Sequence, residues 1–378
     1  MTFVLTEEQT MLKEAARDFT AEQLSLKYFR DTRNSGANGK DAESWASMAE
    51  MGWAGVLIPE EFGGSEFGYV GLGQVLEAQG RTLAPTPLLQ TALIGASALM
   101  LGGSPEQKAT VLPKIAEGAL TTALAIDEKP HHDPKETALK AVATGGAFTL
   151  EGKKTFVANG HFADLFILAA RTSGAPGETN GITLFMIPRE TDGLSVTELK
   201  TLDYHGAANL TLEGVVVPNA DVLGEVDKGW DILEAVLDRA CIVLAAEMLG
   251  TSEAAFEMTH EYLQTRKQFG QLIGSFQSLQ HRAAIMFSEM EQTRSCVSAA
   301  LSALDEGRDD VSELASLAKA RASKLVHLVS NETIQMHGGI GMTDEHDSGF
   351  YIKRARVQEA LYGGEGYHRD RYASLLGF

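Results

Sequence analysis

The sequence predicts an α+β chain in three successive regions: an N-terminal helical domain over residues 1–118, a middle β domain over 119–225 and a C-terminal helical bundle over 226–378. Three observations carry this expectation. Apolar residues recur at helical spacing in the first and last regions. In the middle region they alternate with a period of two. Clusters such as Ser173-Gly174-Ala175-Pro176-Gly177 separate the alternating runs.

In the first region, Thr6 is followed three residues later by Gln9, a capping-box arrangement ahead of the apolar Met11 and Leu12. Helical stretches are expected over 42–51, 71–79 and 104–115. The loop Ile58-Pro59-Glu60-Glu61-Phe62-Gly63-Gly64 stops helix growth between them, since Pro lacks the amide donor and Gly tolerates positive φ. Strands are expected over 147–150, 165–170, 182–187, 194–199 and 210–217. After Gly229 the helical period returns in long runs over 231–256, 279–304 and 312–336, lengths that usually pack as a bundle.

The bulk numbers exclude several classes of function. With 32 Lys and Arg against 51 Asp and Glu, the formal charge of −19 argues against nucleic acid or an anionic membrane as the main partner. A phosphate-bearing ligand therefore needs a local basic or amide-rich pocket. Cys241 and Cys296 lie in helical segments, so neither a disulfide framework nor a cysteine metal site is expected, and a reducing cytoplasm fits. The acidic start lacks a signal-peptide pattern, and no run approaches the ~18 apolar residues of a membrane span, so a soluble protein without membrane insertion is expected. The adjacent His131 and His132 have no third ligand at a recognisable spacing and read as a solvated loop; no metal is expected.

Two segments carry ligand chemistry. Tyr262-Leu263-Gln264-Thr265-Arg266-Lys267-Gln268-Phe269-Gly270 leads into Ile273-Gly274-Ser275-Phe276-Gln277. Arg266 there offers a fixed, forked cation suited to a dianionic pyrophosphate, or it is a solvated helix-end charge favoured by the helix dipole. In Gln335-Met336-His337-Gly338-Gly339-Ile340-Gly341-Met342-Thr343, the glycines either admit a ligand close to backbone amides or simply end a helix. The first segment resembles the flavin-diphosphate segment of acyl-CoA dehydrogenases, and the second resembles that family's adenosine-side loop. With the α–β–α order, the resemblance covers essentially the whole chain. It implies FAD as cofactor, held by Arg266, Gln268, Phe269, Gln277, Gln335, Gly338 and Gly339. On the β domain it implies that the backbone of Ile126 and Asp127 faces the flavin pyrimidine. Phe156 stands where the family usually stacks a tryptophan, and Ala158 where a hydroxyl residue's backbone reaches the flavin N5 edge. Stacking and a backbone N–H bond both survive those changes.

Desaturation of an acyl-CoA needs a carboxylate to take the α-proton while the β-hydrogen leaves as hydride. By the family's spacing the usual catalytic glutamate falls on Tyr362, and its alternative location falls on Ala240. Neither is a carboxylate. Glu247, two turns beyond Ala240 on the same helix face, is a candidate displaced base or, equally, a buried carboxylate paired with an arginine. Glu365 is shifted by three residues and reads as solvent-facing. Asp238 matches a position that binds the pantetheine of CoA. The family's arginine in that motif falls on Cys241, for which Arg239 can compensate, and Tyr362 joins Asp238 and Arg239 as a substrate-binding candidate.

Departure at both base positions is similar to one subunit type of heteromeric acyl-CoA dehydrogenases acting on steroid or dicarboxylyl CoA esters. Three functions stay open. The chain is a self-sufficient FAD-dependent acyl-CoA dehydrogenase, or a non-catalytic partner subunit completing an FAD site in a heterotetramer, or a flavin enzyme of different reaction type on the same fold. The expected partners are an acyl-CoA substrate, an electron-transfer flavoprotein or similar acceptor, and further subunits in a homotetramer or heterotetramer, because Arg266 would serve a neighbouring subunit's cofactor.

Overall fold

The computed structural model describes residues 4–39 and 41–378. Its main helices are α1 (Glu7–Gln23), α2 (Leu26–Ser35), α3 (Ala42–Glu50), α4 (Tyr69–Thr82), α5 (Ala96–Gly102), α6 (Pro105–Ala116), α7 (Gly229–Thr265), α8 (Gln277–Asp305), α9 (Val311–His337), α10 (Ser348–Ala360) and α11 (Glu365–Leu375). Between α6 and α7 lie β1 (Thr122–Ala125), β2 (Lys140–Thr144), β3 (Ala147–Ala158), β4 (Leu165–Arg171), β5 (Ile182–Pro188), β6 (Leu194–Leu199), β7 (Ala207–Pro218) and β8 (Val222–Leu223). The order is helices, sheet, helices. By contact the residues form two compact units, which do not follow the linear order. One joins the chain up to Asp31 with Tyr69–Ala84 and Cys241–Phe378, and the other joins Thr32–Gly68 with Pro85–Ala240.

In the helical unit α1 packs on α4, α4 on α8, α8 on α9, and α9 on α10 and α11. The Thr6 and Gln9 capping box opens α1 as expected, with both reciprocal bonds made. The tightest crossing is between α4 and α7. A Cβ on Gly80 would stand 2.0 Å from the carbonyl oxygen of Glu247, and one on Gly250 would stand 1.9 Å from that of Glu77. Two residues without side chains thus let the helix backbones touch. Beside this crossing the buried Glu77 and Glu253 are neutralised from several helices. Lys13 and Arg17 lie 3.3 and 3.4 Å from Glu77, and Arg81 lies 3.1 Å from Glu253, which also takes Arg294. Burial pushes the Glu253 carboxyl above its ordinary range, Glu77 adds to the shift, and Arg294 opposes it.

The sheet runs β6-β7-β3-β2-β4-β5-β8, with β1 pairing parallel to β4. Its core gathers Leu139, Phe148, Leu150, Val157, Phe166 and Phe185, with the rings of Phe148 and Phe185 meeting edge to face at 5.3 Å. β3 is three times longer than the alternation over 147–150 suggested. Its register against β7 slips between Leu150 and Gly152 and again between Lys154 and Val157, so the alternating pattern is broken twice. The sequence also gave no sign of the π-helix Leu89–Gly95, every residue of which is buried and therefore carries no amphipathic signal. Among the described residues no helix is long and apolar enough to cross a membrane.

Gly250→Ala places a methyl group against backbone that cannot retreat, and a loss of about 1–3 kcal/mol is expected in urea unfolding. Gly349→Ala, within α10 and with open space around its Cβ, is the control and is expected to leave stability unchanged or raise it by up to about 1 kcal/mol. Equal losses in both variants would show that the crossing is not tight.

Candidate functional site

α7 ends at Thr265, and the chain then forms a two-stranded hairpin in which Lys267 and Gln268 pair with Leu272 and Gln271. Its turn is Phe269-Gly270, with φ of 53° and 81°, as a tight hairpin of this hand requires. Arg266 through Gly270 are all exposed, Phe269 by 89%. Among the described residues Arg266 makes no ion pair, so its guanidinium remains available to an anion. A cavity of about 450 Å³ adjoins the hairpin, lined in part by His260, Leu263, Gln264, Leu272 and Gln280.

The glycine loop lies in the same unit and is locked to the end of α7. Thr259 bonds Thr333 at 3.0 Å, and the Tyr262 ring lies against the His337 ring with centroids 4.4 Å apart. Gly338 has φ 62°, and Cβ atoms at Gly338 and Gly339 would meet nothing within 4 Å, so the loop backbone is open to a close approach. Gly341 instead packs against the Ile334 carbonyl, where a Cβ would stand at 2.9 Å. Gln335, on the last turn of α9, and Gln277, which opens α8, are both exposed. The two segments that the sequence singled out therefore converge.

On the sheet unit, β3 carries a bulge at Thr155 and Phe156, both opposite Asn209. Phe156 has φ 49° and is 44% exposed, and its amide donates to the Asn209 side chain at 3.0 Å. The bulge thus lifts an aromatic ring off the sheet. Ala158 follows in regular pairing with Ala207. The preceding segment is anchored inward. The buried Lys154 ammonium donates to the Ile126 carbonyl at 2.7 Å and to Glu128 at 2.6 Å, and the Thr155 amide donates to the Asp127 carbonyl at 2.8 Å. Both carbonyls are already accepting, so what 126–127 can offer a ligand is chiefly amide N–H. The Asp127 carboxylate faces His132 at 3.0 Å. Asp238 is buried, and Arg239 turns back to donate to the Ala235 carbonyl at 2.8 Å.

Each candidate base position has partners of its own. Tyr362 is buried with φ 58°, and its carbonyl accepts from His368 Nε2 at 2.8 Å. Ala240 is wholly buried. Glu247 is buried too, and its Oε1 accepts from Arg354 Nε at 3.1 Å and from Gln358 Nε2 at 2.9 Å. This is the ion-paired alternative foreseen for Glu247: a carboxylate anchored by two residues one turn apart on α10. Glu365 opens α11 and pairs with Arg369 one turn on, at 3.3 Å. Arg354 and Gln358 escaped the sequence reading, although their spacing of four puts both on one helix face.

Residues 6–119, 130–215 and 227–376 match, respectively, the N-terminal, middle and C-terminal domains of acyl-CoA dehydrogenase. A probable acyl-CoA dehydrogenase of Bacillus subtilis, YngJ, is 32% identical, over 97% of this chain and 96% of its own. The chain belongs to the acyl-CoA dehydrogenase family. Among solved members, the butyryl-CoA dehydrogenase of Megasphaera elsdenii superposes with a TM-score of 0.91 at 27% identity, over the whole of both chains. The ChsE4-ChsE5 complex of Mycobacterium tuberculosis superposes with a TM-score of 0.89 at 27% identity, over 100% of this chain and 99% of that one. An acyl-CoA dehydrogenase scaffold with N-terminal helices, a middle β domain and C-terminal helices is therefore established, together with the family's oxidoreductase activity on acyl-CoA.

Arg354→Met removes the cation and leaves the Glu247 carboxylate buried, which is expected to cost about 3–5 kcal/mol in equilibrium unfolding. Glu247→Gln with Arg354→Met together should recover part of that loss. If Arg354→Met unfolds like wild type, the ion pair is not structural.

Proposed function

We propose that this chain binds FAD and a CoA thioester on the family's scaffold without supplying the α-proton base, and acts as one half of a heteromeric acyl-CoA dehydrogenase. The observation that carries this reading is the state of the carboxylates. Tyr362 and Ala240 occupy the two base positions, Glu247 is committed to Arg354 and Gln358, and Glu365 to Arg369. A base must reach the substrate's proton directly or through one water, and these carboxylates are held elsewhere. The similarity to the ChsE4-ChsE5 complex, an assembly of two named chains, supports a heteromer, and a tetramer suits the exposed Arg266 hairpin.

The residues present fit FAD. An unpaired Arg266 offers charge to a pyrophosphate in a chain of net charge −19, where such a group would otherwise be repelled. The open amides at Gly338 and Gly339 permit close contact with a ligand's polar edge, while Gln268, Gln277 and Gln335 offer amide donors and acceptors. Phe156, raised on its bulge, and Phe269, at its hairpin tip, present aromatic faces for stacking. FAD, when bound, supplies the acceptor for the substrate's β-hydrogen. The chain's own part is to hold that group, to bind CoA through Asp238 and Arg239, and to shape the acyl site with Tyr362. The α-proton would go to a carboxylate of the partner chain, and an electron-transfer flavoprotein or a similar acceptor would be the electron partner of the assembly.

The purified chain is expected to show little flavin absorbance alone and to gain a flavin band when its partner is co-expressed. That band should bleach on anaerobic addition of one member of a panel running from octanoyl-CoA to a steroid-side-chain CoA. Bleaching by the isolated chain would overturn the base-lacking reading. Arg266→Gln, a change at an exposed position, should lower flavin occupancy about tenfold without moving the unfolding midpoint.

A further inference from the structure

Lys319 sits in the third turn of α9 between Ala318 and Ala320, and its side chain is wholly buried. Such a group needs partners, and the ones it has are mostly main-chain carbonyls. Nζ lies 3.1 Å from the oxygen of Gln358, 3.2 Å from that of Glu359, 2.8 Å from that of Gly363 and 3.2 Å from Ser323 Oγ. The first two carbonyls belong to the last turn of α10, which has no helical partner for them and carries the negative end of the helix dipole. The third belongs to the turn that leads into α11.

Between these anchors the chain takes a strained path. Tyr362 and Gly363 have φ of 58° and 97°, and a Cβ on Gly363 would stand 2.4 Å from the Tyr367 ring. A tyrosine in the left-handed region persists only where its surroundings hold it there. His368 Nε2 fixes the Tyr362 carbonyl at 2.8 Å, and Cys241 Sγ lies 3.8 Å from the same oxygen. The carbonyls of 358, 359, 362 and 363 are thus all engaged, three of them by one ammonium.

We propose that Lys319 is the positioning residue for Tyr362: from α9 it clamps the turn between α10 and α11 and so sets where the residue at the base position stands. This rests on the reading of Tyr362 as part of the acyl site. The titratable groups around the clamp are Cys241 from α7, Glu359 from α10 and His368 from α11. None of them is a carboxylate in contact with Nζ. Desolvation accordingly lowers the Lys319 pKa to about 8, with Cys241 and Glu359 opposing the shift, and the ammonium form prevails at neutral pH.

The test uses the full chain with its partner. 4-Fluorophenylalanine placed at position 362 should give one narrow fluorine resonance, which Lys319→Met splits or broadens while the same label at position 351 is unmoved. With the panel acyl-CoA that wild type binds, Lys319→Met and Tyr362→Ala should each weaken binding about tenfold, and the double variant should be no weaker than either single one. An unchanged resonance at 362, or fully additive effects on binding, overturns the proposal. Should Lys319→Met not fold, Lys319→Gln, which keeps polar donors in the pocket, carries the same measurements. If Tyr362→Ala leaves binding intact while the resonance still broadens in the lysine variant, the clamp stands and the acyl-site reading of Tyr362 falls. A further readout needs no labelling. The folded chain releases the Lys319 proton near pH 8 and the unfolded chain near the ordinary 10.5, so between these values the unfolded state holds more protons. Wild type should gain stability relative to Lys319→Met as pH rises through that window.

Discussion

Where α4 crosses α7, Gly80 lies against the Glu247 carbonyl and Gly250 against that of Glu77. Two main chains in contact leave almost no freedom in the relative placement of the residues flanking the crossing, and the flanking residues are buried carboxylates. From there the dependence runs outward. Glu77 faces the cations of α1, with Glu253 and its partners Arg81 and Arg294 close by, while Glu247 faces Arg354 and Gln358 of α10. Taking an ion from water costs several kcal/mol, a cost offset only when the counter-ion and the remaining hydrogen bonds are well placed. The crossing therefore decides the position of α10, and α10 decides where the turn carrying Tyr362 begins.

The helical unit spends its buried charge on architecture. Glu247 is tied to Arg354 and Glu365 to Arg369. The Arg266 hairpin and the open glycines after α9 stay exposed, whereas the interior polar groups serve to fix helix ends and crossings.

How much of this was legible in the sequence follows from the range of each signal. The capping box at Thr6 and the long helical periods of α7, α8 and α9 depend on neighbouring residues, so local spacing revealed them, whereas β4 and β5 are legible as short apolar runs and not by alternation, because nearly every residue of both is buried. The helix ends at Arg266 and at Gly338 were also legible, because each is written within a few residues, while the hairpin that follows Arg266 was not read. The Glu247 to Arg354 pair joins residues 107 apart, and only the fold brings them together. Lys319 is a similar case, since a lysine between alanines on a long helix looks like a solvated charge until the carbonyls around it are seen. The full length of β3 was hidden for another reason: its two register shifts exchange the inward and outward faces, and the period of two disappears.

That second shift has a consequence for how such a protein can change over generations. In a regular strand each side chain is constrained by the one opposite, so replacing it invites a compensating replacement across the sheet. Phe156 stands on the extra residue of a bulge, and its amide is satisfied by the Asn209 side chain, independently of the ring that the residue carries. Its aromatic group can be exchanged for a larger or smaller one while the core of Leu150, Val157 and Leu210 is left as it is. The sheet's stability is thus insulated from exchanges of the ring at position 156.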